Sequence, residues 1–233
     1  MSATGDARSI SLTLEPALCG RVRVATLTAA PVAVATTGPE LAAEIEDTEA
    51  RMRERYGAYA PAAIEELQPA RELYRTFGID PTKTRPSSEK LLRRVLRGDT
   101  LPRISNAVDL GNLLALRFLL PIGLFDASRI DGDVVLRPGA ADESYEGIAS
   151  QVVHLAGRPV LADRRGPFGN PTADSRRTAV NPSTSALWMT VFAPASFCAA
   201  RLESQTRLAA EAFARHVARA GVAVHTRLGQ VDQ

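Results

Sequence analysis

Asp163–Thr178 reads DRRGPFGNPTADSRRT and lies between two apolar runs, Pro159–Ala162 and Ala186–Ala193. The stretch holds two Gly, two Pro, two Asp, two Thr, one Asn, one Ser and four Arg. Proline fixes φ and glycine supplies φ > 0, so this density specifies a shaped loop. A loop of hydrogen-bonding side chains held between apolar segments is a usual place for a binding site. The alternative is an ordinary solvated surface loop. The usable groups are Asp163, Asn170, Asp174, Ser175, Arg176, Arg177 and Thr178. An Asp beside an Arg can fix it and orient an amine or carboxylate bidentately. Backbone N–H groups in a Gly-rich loop can hold an oxyanion or orient a water. Such a site suits an amino-acid-like group, and the chemistry it suits is water-mediated hydrolysis of an ester activated by its leaving group.

Working outward, Val152–Leu155 and Pro159–Ala162 read as strands about the Ala156-Gly157 turn. Ala186–Ala193 is the most apolar strand and central in a sheet. Ser196 caps a long last helix reaching Ala220, Gly221 ends it, and Val222–Leu228 alternates as a final strand. On the N-terminal side, Asp131-Gly132-Asp133 is a turn before the strand Val134–Arg137. Pro121–Asp126 reads as a turn into irregular structure, and Leu110–Leu120 as a mostly buried helix. Asn106, Asp109 and Asn112 recur at three-residue spacing there, either as polar groups at a pocket wall or as caps of the helix N-terminus.

Earlier still, Ile10–Leu14 and Arg21–Leu27 alternate as half-buried strands, with Val32–Val34 as a short addition. Pro39 opens a helix that ends near Tyr56 with Gly57 as a left-handed cap. Pro61 starts a second helix to Phe77, whose buried stripe includes Leu73 and Tyr74, and Gly78 closes it. Ser87 caps a third, with Glu89 placed to suit the helix dipole. Strands, then helices, then a strand-rich half and a helix make the fold class α+β, read as one domain over residues 1–233.

The third helix carries the strongest charge asymmetry of the chain. Lys90, Arg93, Arg94 and Arg97 share one face, and with Lys83, Arg85 and Arg103 they outnumber Glu89 and Asp99. This is either a solvated helix face or a track for a phosphate backbone, since clustered cations displace counterions from nucleic acid. The whole chain has a net charge of only +2 over 233 residues, so a nucleic-acid site has to be a local patch. Its composition, 45% hydrophobic and 23% charged, supports a sizeable core.

Other classes are disfavoured. Cys19 and Cys198 read as buried, reduced thiols of a cytoplasmic protein. His154, His216 and His225 have no metal-ligand spacing, and His154 is the only imidazole near the quoted loop, so neither a metal nor a cofactor is expected. No signal peptide or membrane span is read. Phosphate-binding, dinucleotide and nucleophile-elbow motifs are missing from the sequence.

Several motifs carry a family resemblance when taken in order. They are Ile79-Asp80-Pro81-x-Lys83-x-Arg85-Pro86-Ser87, Asn106-x-Val108-Asp109-x-x-Asn112, Leu120-Pro121-Ile122-Gly123-x-Phe125-Asp126, Gly132-Asp133-Val134-x-Leu136-Arg137, and the DSRRT that ends the quoted loop. Together they resemble the B3/B4 domain, the tRNA-editing domain of the phenylalanyl-tRNA synthetase β-subunit, in its stand-alone form. The match is strongest over Tyr74–Ala193. The resemblance implies an α+β, three-layer fold with a β-sandwich of unusual topology. In the synthetase that domain hydrolyses tyrosine wrongly attached to the phenylalanine tRNA.

The resemblance further implies an aminoacyl pocket where the Asn112 region meets the quoted loop, with Asn106, Asn112, Asp163, Asn170, Asp174, Ser175, Arg177 and Thr178 as substrate-binding residues. Lys90, Arg93, Arg94 and Arg97 would contact tRNA. Three departures separate this chain from the synthetase pattern. The pocket His of the family is Gly123 here, Gly-Asn-Pro-Thr-Ala-Asp replaces the Gly-Val-Met-Gly-Gly loop, and no Glu stands near Thr190 or Val191. The catalytic residues and tyrosine specificity therefore do not carry over. Aminoacylation itself is not expected of so short a chain. The leading expectation is an aminoacyl-tRNA-binding, editing-type domain that clears mischarged amino acids in trans. The alternative is an amino-acid-like small-molecule binding protein or hydrolase that does not engage tRNA.

Overall fold

The computed structural model describes residues 10–228 and 230–231, with the backbone alone from residue 219 onward. Strands β1 (Leu12–Leu14) and β2 (Val22–Val32) come first, followed by helices α1 (Pro39–Tyr56), α2 (Gln68–Thr76), α3 (Ser87–Leu96) and α4 (Asn106–Phe118). A strand-rich half follows, with β3 (Ile122–Asp126), β4 (Val134–Pro138), β5 (Ser144–Glu146), β6 (Val152–His154), β7 (Pro159–Asp163), β8 (Gly166–Gly169) and β9 (Leu187–Pro194). Helix α5 (Ala199–His216) leads to β10 (Ala218–Leu228) and β11 (Gln230–Val231).

The architecture is α+β in three layers. One sheet has the order β10-β2-β9-β3, a second the order β11-β1-β4-β7-β8, and β5-β6 forms a small pair. Side chains on a strand alternate between faces, and β2 and β9 use both. Ala25, Leu27, Ala29, Met189, Val191 and Ala193 pack into one core with the apolar stripes of α1, α3, α4 and α5. Val24, Trp188 and Phe192 point the other way and pack with Leu12, Leu14, Val134, Leu136, Leu161 and Phe168 of the second sheet. Every residue of β9 is buried, as expected for the strand at the centre of the molecule.

Several local expectations are corrected by tertiary packing. Pro121–Asp126 is not irregular, because Ile122–Asp126 pairs antiparallel with Leu187–Val191 despite its Pro and Gly. The quoted loop contains strand β8, paired with β7, and a 3₁₀ turn at Arg176–Thr178. Strands β6 and β7 are not partners, since β6 pairs with β5 while β7 pairs with β4 and β8. The second helix begins at Gln68, and Pro61–Leu67 is divided between two short 3₁₀ turns. Gly57 is right-handed, not a left-handed cap. Pro86, not Ser87, occupies the α3 cap, without a side-chain bond. Cys198, not Ser196, precedes α5, and Ser196 Oγ instead donates to Glu72 at 2.7 Å. Helix α5 stops at His216 because the chain turns there to pair with β2. Cys19 and Cys198 are exposed thiols and not buried ones.

Candidate functional site

Strands β3 and β8 are edge strands of the two sheets, and the segment Asn170–Thr178 runs between them. An edge strand leaves alternate backbone groups unpaired. The amide of Leu124 on β3 is one of them, and it donates to Asp174 Oδ2 at 3.2 Å. On the other side Asp174 bridges Gly169 at the end of β8. Asp174 therefore joins the edges of both sheets, through its carboxylate on β3 and its backbone on β8.

The loop that delivers Asp174 is built locally. Asn170 Oδ1 accepts from the amides of Thr172 at 2.7 Å and Ala173 at 3.0 Å. This is the side-chain turn that Asn favours. Two tyrosines then hold the loop from outside. Tyr74 on α2 donates its hydroxyl to the Pro171 carbonyl at 2.7 Å, and Tyr145 on β5 donates to the Ala173 carbonyl at 2.5 Å. Burial pushes the Tyr74 hydroxyl up to about 12. Burial, and then the charge of Asp174, raise Tyr145. Both stay protonated donors at any physiological pH.

Burial pushes the Asp174 carboxyl from 3.8 up to about 7, and the Leu124 amide only partly offsets it. The residue keeps some solvent exposure, but its carboxyl is enclosed by protein, and that enclosure disfavours the ionised form. No hydrogen-bond partner of Oδ1 is present among the described residues. A side chain at Gly123 would place its Cβ 3.2 Å from Oδ1.

The Phe125 ring lies beside this carboxyl. A Cβ on Gly123 would meet Phe125 Cζ at 2.7 Å, and one on Gly169 would meet it at 2.6 Å. Both glycines are needed where they stand, because any side chain there would collide with the ring. The ring is further held edge-on to Phe168, with centroids 5.1 Å apart, and against Trp188 at 5.8 Å. Across the same sheet face, Thr26 is directly opposite Thr190, and Thr190 is directly opposite Gly123. Thr26 and Thr190 thus lie side by side on this face, where Thr28 is also buried. Thr190 Oγ1 and Asn170 Nδ2 are buried with no hydrogen-bond partner among the described residues. Buried polar atoms of that kind are uncommon and mark sites of interest.

The remaining loop residues are placed differently. Arg177 grips Asp163 with two bonds, 3.0 and 2.9 Å, and also donates to the Gly166 carbonyl at 3.2 Å. Asp163 also accepts from the amides of Asp131 at 2.8 Å and Arg165 at 2.9 Å. Burial works against the charge, but Arg177 and the two amides hold the Asp163 carboxyl below its ordinary value. Ser175 Oγ accepts from the Arg177 amide at 3.1 Å and starts the 3₁₀ turn. Thr178 is fully buried at the end of that turn, and its Oγ1 has no hydrogen-bond partner among the described residues.

Asn106 lies away from the loop. Its side chain ties the Ala33–Ala35 segment to the end of α5, bonding the Ala35 amide and the Ala33 carbonyl at 2.9 Å and the His216 carbonyl at 3.1 Å. Asn112 is half-buried on α4, next to Gly111, whose Cβ would lie 3.4 Å from Leu124 Cδ2. Asp126, part of the family motif, is a structural hub that binds Ser128 and Thr184. The structure thus ties Asp174 to β3 and pins Asp163 to Arg177, with Asn170 and Ser175 bonded within the loop, while Asn106 serves a different junction.

On α3, Lys90, Arg94 and Arg97 are exposed and Arg93 is half-buried. Arg93 pairs with Glu89 at 2.8 Å, and Arg94 donates to the Thr100 carbonyl at 2.5 Å. Glu89 stands in the first turn of α3 as expected, and it is also buried, held from α2 by Arg71 at 2.8 Å.

Sequence reasoning misses Tyr74 and Tyr145 as loop supports, the Leu124 amide, and Gly169 and Thr190. Tyr74 sits in an apolar stripe, and only its hydroxyl, which needs a partner once buried, hints at a further role. Among the described residues no group of His, Cys, Asp or Glu could hold a metal ion. Among them, too, no helix is long and apolar enough to cross a membrane.

The B3/4 domain model matches residues 69–226, more than half of the 233-residue chain. The chain belongs to the B3/4 domain family. Among the solved structures that this B3/4 domain matches is an N-terminal fragment of the phenylalanyl-tRNA synthetase β-subunit from Pyrococcus horikoshii, at 12% identity and a TM-score of 0.49. That match covers 96% of this chain and 52% of that one, so this chain spans about half its length. No curated protein matches by sequence.

Proposed function

We propose that this B3/4 domain is an editing-type domain that binds aminoacyl-tRNA and hydrolyses the ester of mischarged amino acids in trans, with Asp174 as the general base. The observation that carries this reading is the Asp174 carboxyl, set at the junction of β3 and β8 and raised by burial to about 7, with no hydrogen-bond partner of Oδ1 among the described residues. A base works best when its pKa lies near the working pH. In the step, water adds to the ester carbonyl carbon and gives a proton to Asp174. The carbon–oxygen bond to the ribose then breaks, and that proton passes to the ribose oxygen. The products are the free amino acid and a tRNA with its terminal hydroxyl restored.

The test is deacylation of a panel of mischarged tRNAs. The expected rate rises with pH through about 7, as the carboxyl ionises, and Asp174→Asn lowers it roughly a hundredfold or more. No hydrolysis of any member and no tRNA binding at moderate salt would overturn the proposal. Lys90→Ala and Arg97→Ala should each reduce the salt slope of tRNA binding by about one.

One observation favours the alternative, a small-molecule site that does not engage tRNA. Arg93 and Arg94 are already bonded within the protein, which leaves Lys90 on α3 and Arg97 at its C-cap as the exposed cations of this group without a side-chain bond among the described residues. A thermal-shift screen of free amino acids separates the readings, because a ligand that binds only the native state raises the melting temperature. Stabilisation by a free amino acid, with no tRNA bound, would favour it.

A further inference from the structure

We propose that Tyr59, Lys90 and Arg97 form one surface for single-stranded RNA, on which an unpaired base stacks on Tyr59 while neighbouring phosphates meet the two cations. This rests on the tRNA-binding part of the reading above and deepens it by naming what docks there, an unpaired segment and not a helix.

Tyr59 stands apart from the other rings. Among the described residues it is the one large aromatic side chain that is exposed, at 57%. Among them, too, its side chain makes no hydrogen bond or ring contact. Tyr74 and Tyr145, by contrast, spend their hydroxyls on loop carbonyls. The residues around Tyr59 are small, with Gly57, Ala58, Ala60, Ala62 and Ala63 all exposed. They leave the ring clear of bulky neighbours, so the flat face of a base can reach it. Every base has such a face, and stacking on an aromatic side chain is the usual way that single strands are held.

The loop that carries Tyr59 is fastened alongside α3. Arg53, in the last turn of α1, donates to the carbonyls of Val95 at 3.0 Å and Asp99 at 3.1 Å, at the C-terminal end of α3. Two residues beyond Tyr59, the Pro61 carbonyl accepts from Arg71 at 2.9 Å. The same guanidinium binds Glu89, in the first turn of α3, at 2.8 Å. Tyr59 thus lies between two fastenings, one at each end of α3. Helical spacing puts Lys90, Arg94 and Arg97 in one exposed stripe. Lys90 and Arg97 are seven residues apart, about 10 Å along the axis, so a strand of a few nucleotides reaches both. Glu89 does not repel a phosphate, because Arg71 and Arg93 both meet its charge. Glu54 and Glu65 are exposed before and after the loop, which directs phosphates to the α3 side.

The ring decides for a single strand. In a duplex each base is already stacked on its neighbours, so Tyr59 meets no open face, and proteins read unpaired RNA through bases that are free to stack. The cations alone would bind either form by charge.

The experiment is fluorescence anisotropy with a labelled single strand of about ten nucleotides and a hairpin duplex with the same number of phosphates, over a series of salt concentrations. The single strand should bind about tenfold more tightly than the duplex, and Tyr59→Ala should remove that margin with the salt slope unchanged. Tyr59→Phe should keep it, because the ring is what stacks. Arg97→Ala should lower the slope by about 0.7, the value for one single-strand phosphate. All of these positions are exposed, so the variants leave the core intact. Equal binding of the two RNAs, or a Tyr59→Ala variant that binds the single strand as tightly as the wild type, would overturn this inference. If the wild type still clears mischarged tRNA, the deacylase reading then stands without it. The expected Tyr59 dependence with no clearance of any ester would uphold this inference and count against the deacylase. No binding of either RNA overturns it outright.

Discussion

Asp163 and Asp174 stand in one short loop, yet they end in opposite states. Asp163 accepts two bonds from Arg177 and two from backbone amides, and its carboxyl is held below its ordinary value. Asp174 accepts one bond, from Leu124, and burial pushes it up to about 7. Residue type and loop composition are shared, so the difference lies in what each carboxylate meets. A buried carboxylate with a full set of donors stays ionised and fastens the fold, whereas one with a single donor is kept partly protonated and reactive. The same contrast gives opposite pH signs. The stability that Asp163 contributes is present above its unfolded value and is lost as pH falls through its lowered folded value. For Asp174 the stability is present below its unfolded value of 3.8 and is lost as pH rises through about 7.

The largest expected effect breaks the pinned side. Asp163→Ala leaves the partly buried Arg177 without its counter-ion and should cost about 3 kcal/mol, read from the urea midpoint. Should Asp174→Ala prove the more costly of the two at pH 8, the roles assigned to the two carboxylates would be reversed. Next comes Asp174→Asn, which keeps an acceptor for the Leu124 amide but removes the ionisation. A rise from 3.8 to about 7 in a fully enclosed group would be worth about 4 kcal/mol at high pH. Solvent reaches this site, so about 2 kcal/mol of gain is expected at pH 8 and none at pH 4, measured by parallel denaturant melts. An equal gain at both pH values would mean that packing, and not charge, sets its strain.

How far the sequence reveals these states follows from the range of each signal. The strands β4, β7 and β9 and the helix α4 are legible because their periodicity and turn residues are local. The polar loop is legible as a candidate site for the same reason. Strand β3 is not, since Pro121 and Gly123 read as turn residues, and only pairing with β9 makes them strand. Gly123 reads as a missing family residue, whereas in the fold it is room for Phe125. Glu89 suits a helix dipole by position, but its partner Arg71 lies on another helix. Asp163 and Asp174 differ through contacts with Asp131, Arg177, β3 and β8 that the linear order does not display. Local propensity is thus overruled where two sheets meet, and that is where the candidate site lies.

The smallest expected effect tests how the reactive state of Asp174 is maintained. Tyr145 holds the Ala173 carbonyl and so fixes the residue that precedes Asp174. Tyr145→Phe removes one hydrogen bond and leaves a buried carbonyl short of a donor, at a cost of about 1 kcal/mol. The ring remains, so packing against Val153 and Val160 is retained. With the loop less tightly held, water should reach Asp174 more readily, and its carboxyl should ionise at a lower pH than in the wild type. Carboxyl titration followed by NMR in the two proteins reads this directly. A downward shift for Asp174 with Asp163 unchanged would tie the raised value to the rigidity of the loop. An unchanged Asp174 would assign it to Phe125 and the sheet edges alone, because those are the other groups that enclose the carboxyl.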